Sequence, residues 1–183
     1  MKNFLPTSLG FGVNINRLAL RNKATKGFTL IELLVALTIV TILAVAVFAA
    51  LNPAQRIKDS KDARRSVDAS EILTAVHQSI VDNKGTYPTN MPAAGVEKQL
   101  GSPAGGCAAT TVGACTVTAG CADLMAGGQA LTSYLASMPI DPVGSGGGAT
   151  AAAVGYSIKR DANGIVTVKA CYTDAATPIT VSR

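Results

Sequence analysis

Among the groups in this chain that could do chemistry, Glu32 stands in the least hospitable surroundings. It is the one charge between Phe28 and Leu51, a run of 24 residues without Gly or Pro. A carboxylate inside hydrocarbon costs on the order of 2.5 to 3.5 kcal/mol on insertion scales, so Glu32 calls for a partner. A glutamate reaching back to a membrane interface is the plain alternative. The other reactive groups are Cys107, Cys115, Cys121 and Cys171, all beyond the apolar run. The segment that holds them has no Phe or Trp and four Tyr. So little large apolar volume leaves a small domain marginal, and two disulfides outside the cytoplasm are the expected remedy. Four cysteines allow three pairings. A zinc site is disfavoured, because spacings of eight and six with no histidine nearby do not match finger patterns. His77 is the chain's one histidine, and H-E-x-x-H, G-x-S-x-G and G-x-x-x-x-G-K are all missing from the sequence. No catalytic residue, metal ligand or cofactor is therefore assigned, and an enzyme is not expected.

Several elements must position these groups. Phe28 to Leu51 makes about 36 Å of helix, against roughly 30 Å of hydrocarbon in a bilayer, so it can span one. Thr38 and Thr41 interrupt the apolar run, and as helical hydroxyls they can bond back to carbonyls a turn earlier. Asn52-Pro53 ends the run, and a kink or short non-helical link is expected there because Pro53 has no N–H and disfavours α geometry before it. From Ala54 to about Asn83 the helical pattern resumes. Ala69, Ile72, Leu73, Val76 and Ile80 fall on one arc, an apolar stripe for packing against a domain. The mixed charges over 55–68, with Lys58/Asp62 and Arg64/Asp68 at i,i+4, read as a solvated helix or as contacts between subunits. His77, just off the arc, reads as a solvated surface residue. Gly85 suits a left-handed C-cap.

Beyond it, Gly105-Gly106, Gly127-Gly128 and Gly146-Gly147-Gly148 mark loops. Leu131, Tyr134, Leu135 and Met138 have the spacing of one short helix. Val154, Tyr156 and Ile158 alternate, Arg160 to Gly164 turns, and Val166, Val168, Ala170 and Tyr172 alternate back, which is a β-hairpin. Pro178 to Val181 reads as a short last strand.

Charge divides the chain in two. Residues 1–27 hold Lys2, Arg17, Arg21, Lys23 and Lys26 and no acid, whereas residues 28–183 hold 11 Lys or Arg against 11 Asp or Glu. The pI near 9.2 thus belongs to the leader, and no specific nucleic acid is inferred from it. The apolar run exceeds the ~7 to 15 residues of an ordinary signal core. Counting Lys and Arg beside the run gives four on the N-terminal side and five on the other, so the positive-inside rule leaves orientation open.

A basic leader without acids, Gly27 directly before Phe28, and Glu32 five residues into an apolar helix together resemble the class III signal of type IV prepilins and of type II secretion pseudopilins. The resemblance implies that a prepilin peptidase cuts between Gly27 and Phe28 and that Phe28 is then N-methylated. It implies that Glu32 is the assembly residue, pairing with the new N-terminal amine of a neighbouring identical subunit as the chain joins a filament on an assembly platform. It implies an N-terminus inside the cytoplasmic membrane for the precursor, and an extracellular or periplasmic filament afterwards. Pro53 becomes the candidate for helix loosening, and Thr86-Tyr87-Pro88 after Gly85 is similar to the turn that follows the long helix in these families. Pro139-Ile140-Asp141-Pro142 resembles the turn before their terminal strands. Pilins often staple the C-terminus, so Cys171 is expected to pair with one of the other three cysteines. Some major pseudopilins bind calcium near that turn; Asp141, Asp161 and Asp174 are available here, but Asp161-Ala162-Asn163-Gly164 lacks the remaining ligands.

The fold implied is α+β: a leader over 1–27, a transmembrane and assembly helix over 28–52, its amphipathic continuation over 53–84, and a small pilin-like domain over 85–183 with a small antiparallel sheet. The implied role is a structural filament subunit. A major pseudopilin of a secretion or competence system, and a single-pass anchored binding domain that never polymerises, are the alternatives.

Overall fold

The computed structural model describes residues 27–104, 107, 111–142, 149–174 and 177–183. The leader before Gly27, Gly105-Gly106 and Gly146 to Gly148 lie outside the described residues. Contacts divide the chain into two units, one ending at Ala46 and one beginning at Val47.

Helix α1 (Leu30–Leu51) is built from Leu, Ile, Val and Ala with a few hydroxyls, and none of its residues is buried. Thr38 Oγ1 donates to Val35 O and Thr41 Oγ1 to Thr38 O, both at 2.8 Å. Neither hydroxyl is left as a polar site, and the helix surface is apolar almost throughout.

Helix α2 (Pro53–Asp82) opens on Pro53, where a missing N–H costs nothing because first-turn N–H groups have no intrahelical acceptor. The residue out of helical geometry is Asn52, left-handed at φ 41° and ψ 68°, a conformation that asparagine tolerates better than most. Its carbonyl still accepts from Gln55 N at 3.0 Å and Arg56 N at 3.3 Å, so the second helix starts at once. Ala69, Ile72, Leu73 and Val76 are buried as the stripe predicts. The helix closes with Lys84 and Gly85 both at positive φ and Gly85 N on Ile80 O at 2.8 Å, the hydrogen-bonded stop for which glycine is favoured.

Against α2 lies a five-stranded sheet. Its strands are β1 (Glu97–Leu100), β4 (Thr118–Ala122), β5 (Tyr156–Arg160), β6 (Val166–Ala170) and β7 (Thr180–Ser182), in the order β4-β1-β5-β6-β7. The short pair β2 (Thr111–Val112) and β3 (Cys115–Thr116) forms a separate hairpin. Strands β5 and β6 pair antiparallel from Tyr156↔Ala170 to Arg160↔Val166, and β7 adds to β6. Tyr156, Ile158, Val166, Val168 and Ala170 face inward, meeting the α2 stripe and Leu100, Leu124 and Leu131 in one core.

Three expectations are corrected. The sheet is mixed, because the β2–β3 excursion returns the chain so that β4 runs parallel to β1. The helix expected over Leu131 to Met138 is a single 3-10 turn, Leu131–Ser133. Ser, Thr and the approaching Pro139 give it little helical propensity, yet Leu131 and Leu135 are both buried, so the apolar spacing still serves the core. His77 is half-buried rather than solvated, and its Nε2 has no hydrogen-bond partner.

Candidate functional site

Three constellations stand out, and the first is the start of α1. Gly27, Phe28 and Thr29 precede the helix, with Phe28 83 % exposed. Thr29 caps it: Leu33 N donates to Thr29 O at 3.1 Å and Glu32 N to Thr29 Oγ1 at 3.2 Å. In return Thr29 Oγ1 lies 3.5 Å from Glu32 Oε2, at the outer limit of a hydrogen bond. Thr29 is thus a side-chain N-cap without the return bond of a full capping box, and Glu32 lies near the positive end of the helix dipole. Among the described residues nothing lies within 4 Å of where a Cβ on Gly27 would sit.

The second constellation lies on α2 and corrects the solvated reading of 55–68 at Arg65 and Asp68, while most of that segment is exposed. Arg65 is fully buried. Its guanidinium donates to Asp141 through Nε at 2.9 Å and Nη2 at 3.0 Å, a two-pronged pair. Nη1 donates to Asp62 at 2.6 Å and to Asp174 at 2.9 Å. One side chain therefore ties α2 to the Pro139–Pro142 turn and to the segment after β6. Burial works against its charge, but its hydrogen bonds to Asp141, Asp174 and Asp62 outweigh it and hold Arg65 protonated above its ordinary range. Asp174, on the partly exposed side, is held below its usual value chiefly by the bond from Arg65. Next to this cluster Tyr156 OH donates to Asp68 at 2.8 Å, and burial followed by that bond pushes the phenol up.

Arg65 carried a signal that charge counting hid. It stands at i relative to Ala69 (i+4), Ile72 (i+7) and Val76 (i+11), so the apolar arc extends backwards onto it. The Thr29 cap was equally visible as Thr-x-x-Glu before an apolar run. Asp141 and Asp174, weighed as calcium ligands, both engage Arg65, while Asp161 Oδ1 accepts from Ile165 N at 2.8 Å. Among the described residues no cluster of His, Cys, Asp and Glu suits a metal ion.

Third come the cysteines, which pair Cys107 with Cys121 and Cys115 with Cys171. Cys171 sits one residue past β6 rather than on a strand, and its bond to β3 fixes the segment that leads to Asp174. Val112, Cys115, Val117 and Cys171 form a small second core around it, with Tyr172 against them. Ser157 Oγ, on the neighbouring strand, donates to Glu97 at 2.6 Å, and Lys169 Nζ is 3.3 Å from the same carboxylate.

With this geometry in place, the chain's similarity to known sequences falls on the first constellation. Residues 22–48 match a family model described as the prokaryotic N-terminal methylation motif, the class III signal that is the hallmark of type IV pilins and pseudopilins. No curated protein and no solved structure matches the chain. The motif and an apolar helix long enough to cross a membrane fit a membrane-anchored precursor of the pilin-like kind.

Proposed function

We propose that this chain is a structural subunit, inserted as a prepilin and cut between Gly27 and Phe28 by a prepilin peptidase. Phe28 is then N-methylated, and the chain polymerises with identical subunits through α1. The observation that carries the proposal is the pairing of the methylation motif with a 22-residue apolar helix in which no residue is buried. So much exposed apolar surface needs either lipid or other helices, and a filament subunit uses each in turn. Gly27 fits the cleavage site because it carries no side chain to obstruct a protease and lies within the matched motif.

In this reading Glu32 moves from a loose hold on Thr29 to the methylated amine of the next subunit, which neutralises both charges in the apolar bundle. Pro53 and the left-handed Asn52 are the point at which the helix can loosen as subunits pack. Mass spectrometry of the chain recovered from membranes of a host with a prepilin peptidase tests the route. A chain beginning at methylated Phe28 is the expected result; an intact leader would show a plain anchor.

A further inference from the structure

The tip of the β5–β6 hairpin holds a reactive group that assembly does not use. Asn163 is exposed and precedes Gly164, which has φ 88°. The ends of the turn are well held, with Asp161 N on Ile165 O at 2.9 Å and Ile165 N on Asp161 Oδ1 at 2.8 Å. Its tip is not: Gly164 N reaches Asp161 O only at 3.3 Å, beyond the usual range, and the Asn163 amide makes no hydrogen bond among the described residues. From this arrangement we propose that Asn163 is a spontaneous modification site, converting through a cyclic imide to aspartate and isoaspartate.

The chemistry needs only the chain and water. Gly164 N loses its proton and attacks Asn163 Cγ; the N–Cγ bond forms, the Cγ–Nδ2 bond breaks, and ammonia leaves with that proton. Water then opens the five-membered ring at one carbonyl to give aspartate, or at the other to give isoaspartate, whose backbone runs through Cγ. No atom is oxidised or reduced. Glycine matters because it has no Cβ to shield the attacking nitrogen.

The other asparagines among the described residues are placed differently. Asn52 precedes Pro53, whose nitrogen has no proton to lose. Asn83 Nδ2 donates to Ser79 O at 2.8 Å, and Asn90 Nδ2 to Asp123 O at 2.8 Å and Ala126 O at 3.1 Å, so both amides are held away from their own backbones. Lys84 and Met91 also carry side chains that crowd the attack.

Isoaspartate adds one methylene to the main chain where there is little room for it. Gly164 O accepts from Tyr87 OH at 3.2 Å, and a Cβ on Gly164 would stand 2.9 Å from that hydroxyl. Arg160 in turn lies over the Tyr87 ring, 4.4 Å from its centroid. Conversion therefore loosens the Gly164–Tyr87–Arg160 stack beneath the end of α2, and it adds a negative charge to residues 28–183, whose formal charges otherwise balance.

The test ages the purified mature chain, folded in mild detergent, at 37 °C in mildly alkaline buffer. Peptide 161–169, released by trypsin, should gain two forms carrying the mass change of NH2 to OH, and hydroxylamine should cut the chain between 163 and 164. Peptides with Asn83 and Asn90 should convert roughly tenfold more slowly or less, as expected if each amide must first break a hydrogen bond. Asn163→Gln, on an exposed turn, should abolish both signals without disturbing the fold. Tyr87→Phe removes the donor to Gly164 O and should speed conversion by about two- to tenfold. Conversion of Asn163 no faster than that of Asn83 and Asn90, or no hydroxylamine cleavage, would overturn the proposal.

Discussion

Helices α1 and α2 follow one another across a single left-handed residue, yet they treat charge in opposite ways. In α1 one carboxylate, Glu32, sits at the end of an exposed apolar surface with, among the described residues, only a distant threonine hydroxyl for company. In α2 a guanidinium is taken fully inside, and three carboxylates from three segments come to meet it. The difference teaches where each helix finds its partners. Arg65 is satisfied within its own chain, so its cluster builds the fold. Glu32 is held only loosely among the described residues, and in the proposed filament its partner is the amine of the next subunit.

Replacing Glu32 by Ala is the largest intervention on that contrast. It should leave the monomer membrane-inserted and its globular part unchanged, while the yield of sheared filaments drops by two orders of magnitude or more. Stranding one partner of a buried pair costs about 3 to 5 kcal/mol per contact, and the loss repeats at every subunit. Normal filament yield would erase the contrast between the two helices. Arg65→Ala should do the reverse. The same range of about 3 to 5 kcal/mol applies, but to folding, because three carboxylates are left without their cation. Unfolding in urea, followed by the emission of the four tyrosines, all in the globular part, reads this directly. A variant that keeps its stability yet loses filaments would make Arg65 an assembly residue instead.

Disulfides sharpen the comparison from the α2 side. Cys115–Cys171 closes 56 residues and Cys107–Cys121 closes 14. By loop-closure entropy the longer bridge should contribute about 1 kcal/mol more, within the usual ~2 to 4 kcal/mol for each. Replacing both Cys115 and Cys171 by Ser should also free the segment that delivers Asp174 to Arg65. Its cost should therefore exceed that of the Cys107/Cys121 double substitution by more than the entropy difference. Equal costs in the urea experiment would separate the bridge from the cluster.

The sequence showed these two regions unequally, for physical reasons. An apolar helix announces itself because every residue must suit lipid, and the stripe Ala69, Ile72, Val76 and the alternation in Tyr156–Ile158 and Val166–Val168 follow from periodicity alone. Arg65 was lost among Arg64, Lys61 and Asp62 because neighbouring charges look alike until one is known to face inward. Its partners Asp141 and Asp174 stand 76 and 109 positions away, a distance no local pattern reaches. The parallel pairing of β1 with β4 depended in the same way on a long excursion with small residues and no strong period. Cysteine pairing needs geometry that spacing does not carry, since four cysteines allow three pairings.

Acid offers the gentlest perturbation. Asp174 is held below the ordinary carboxylate range by Arg65, so its folded value is depressed relative to the unfolded chain. Its contribution is therefore fully present above the unfolded value near 3.9 and is lost as pH falls through the lower folded value. Asp174 is also partly exposed, so solvent screens much of the bond and the effect should be small. Urea midpoints of the wild-type chain should decline as pH is lowered below about 4, and Asp174→Asn should flatten part of that decline. If Asp174→Asn leaves the acid limb unchanged, Asp141 and Asp62 carry the Arg65 cluster without it, and the segment after β6 is held by Cys171 rather than by the charge of Asp174.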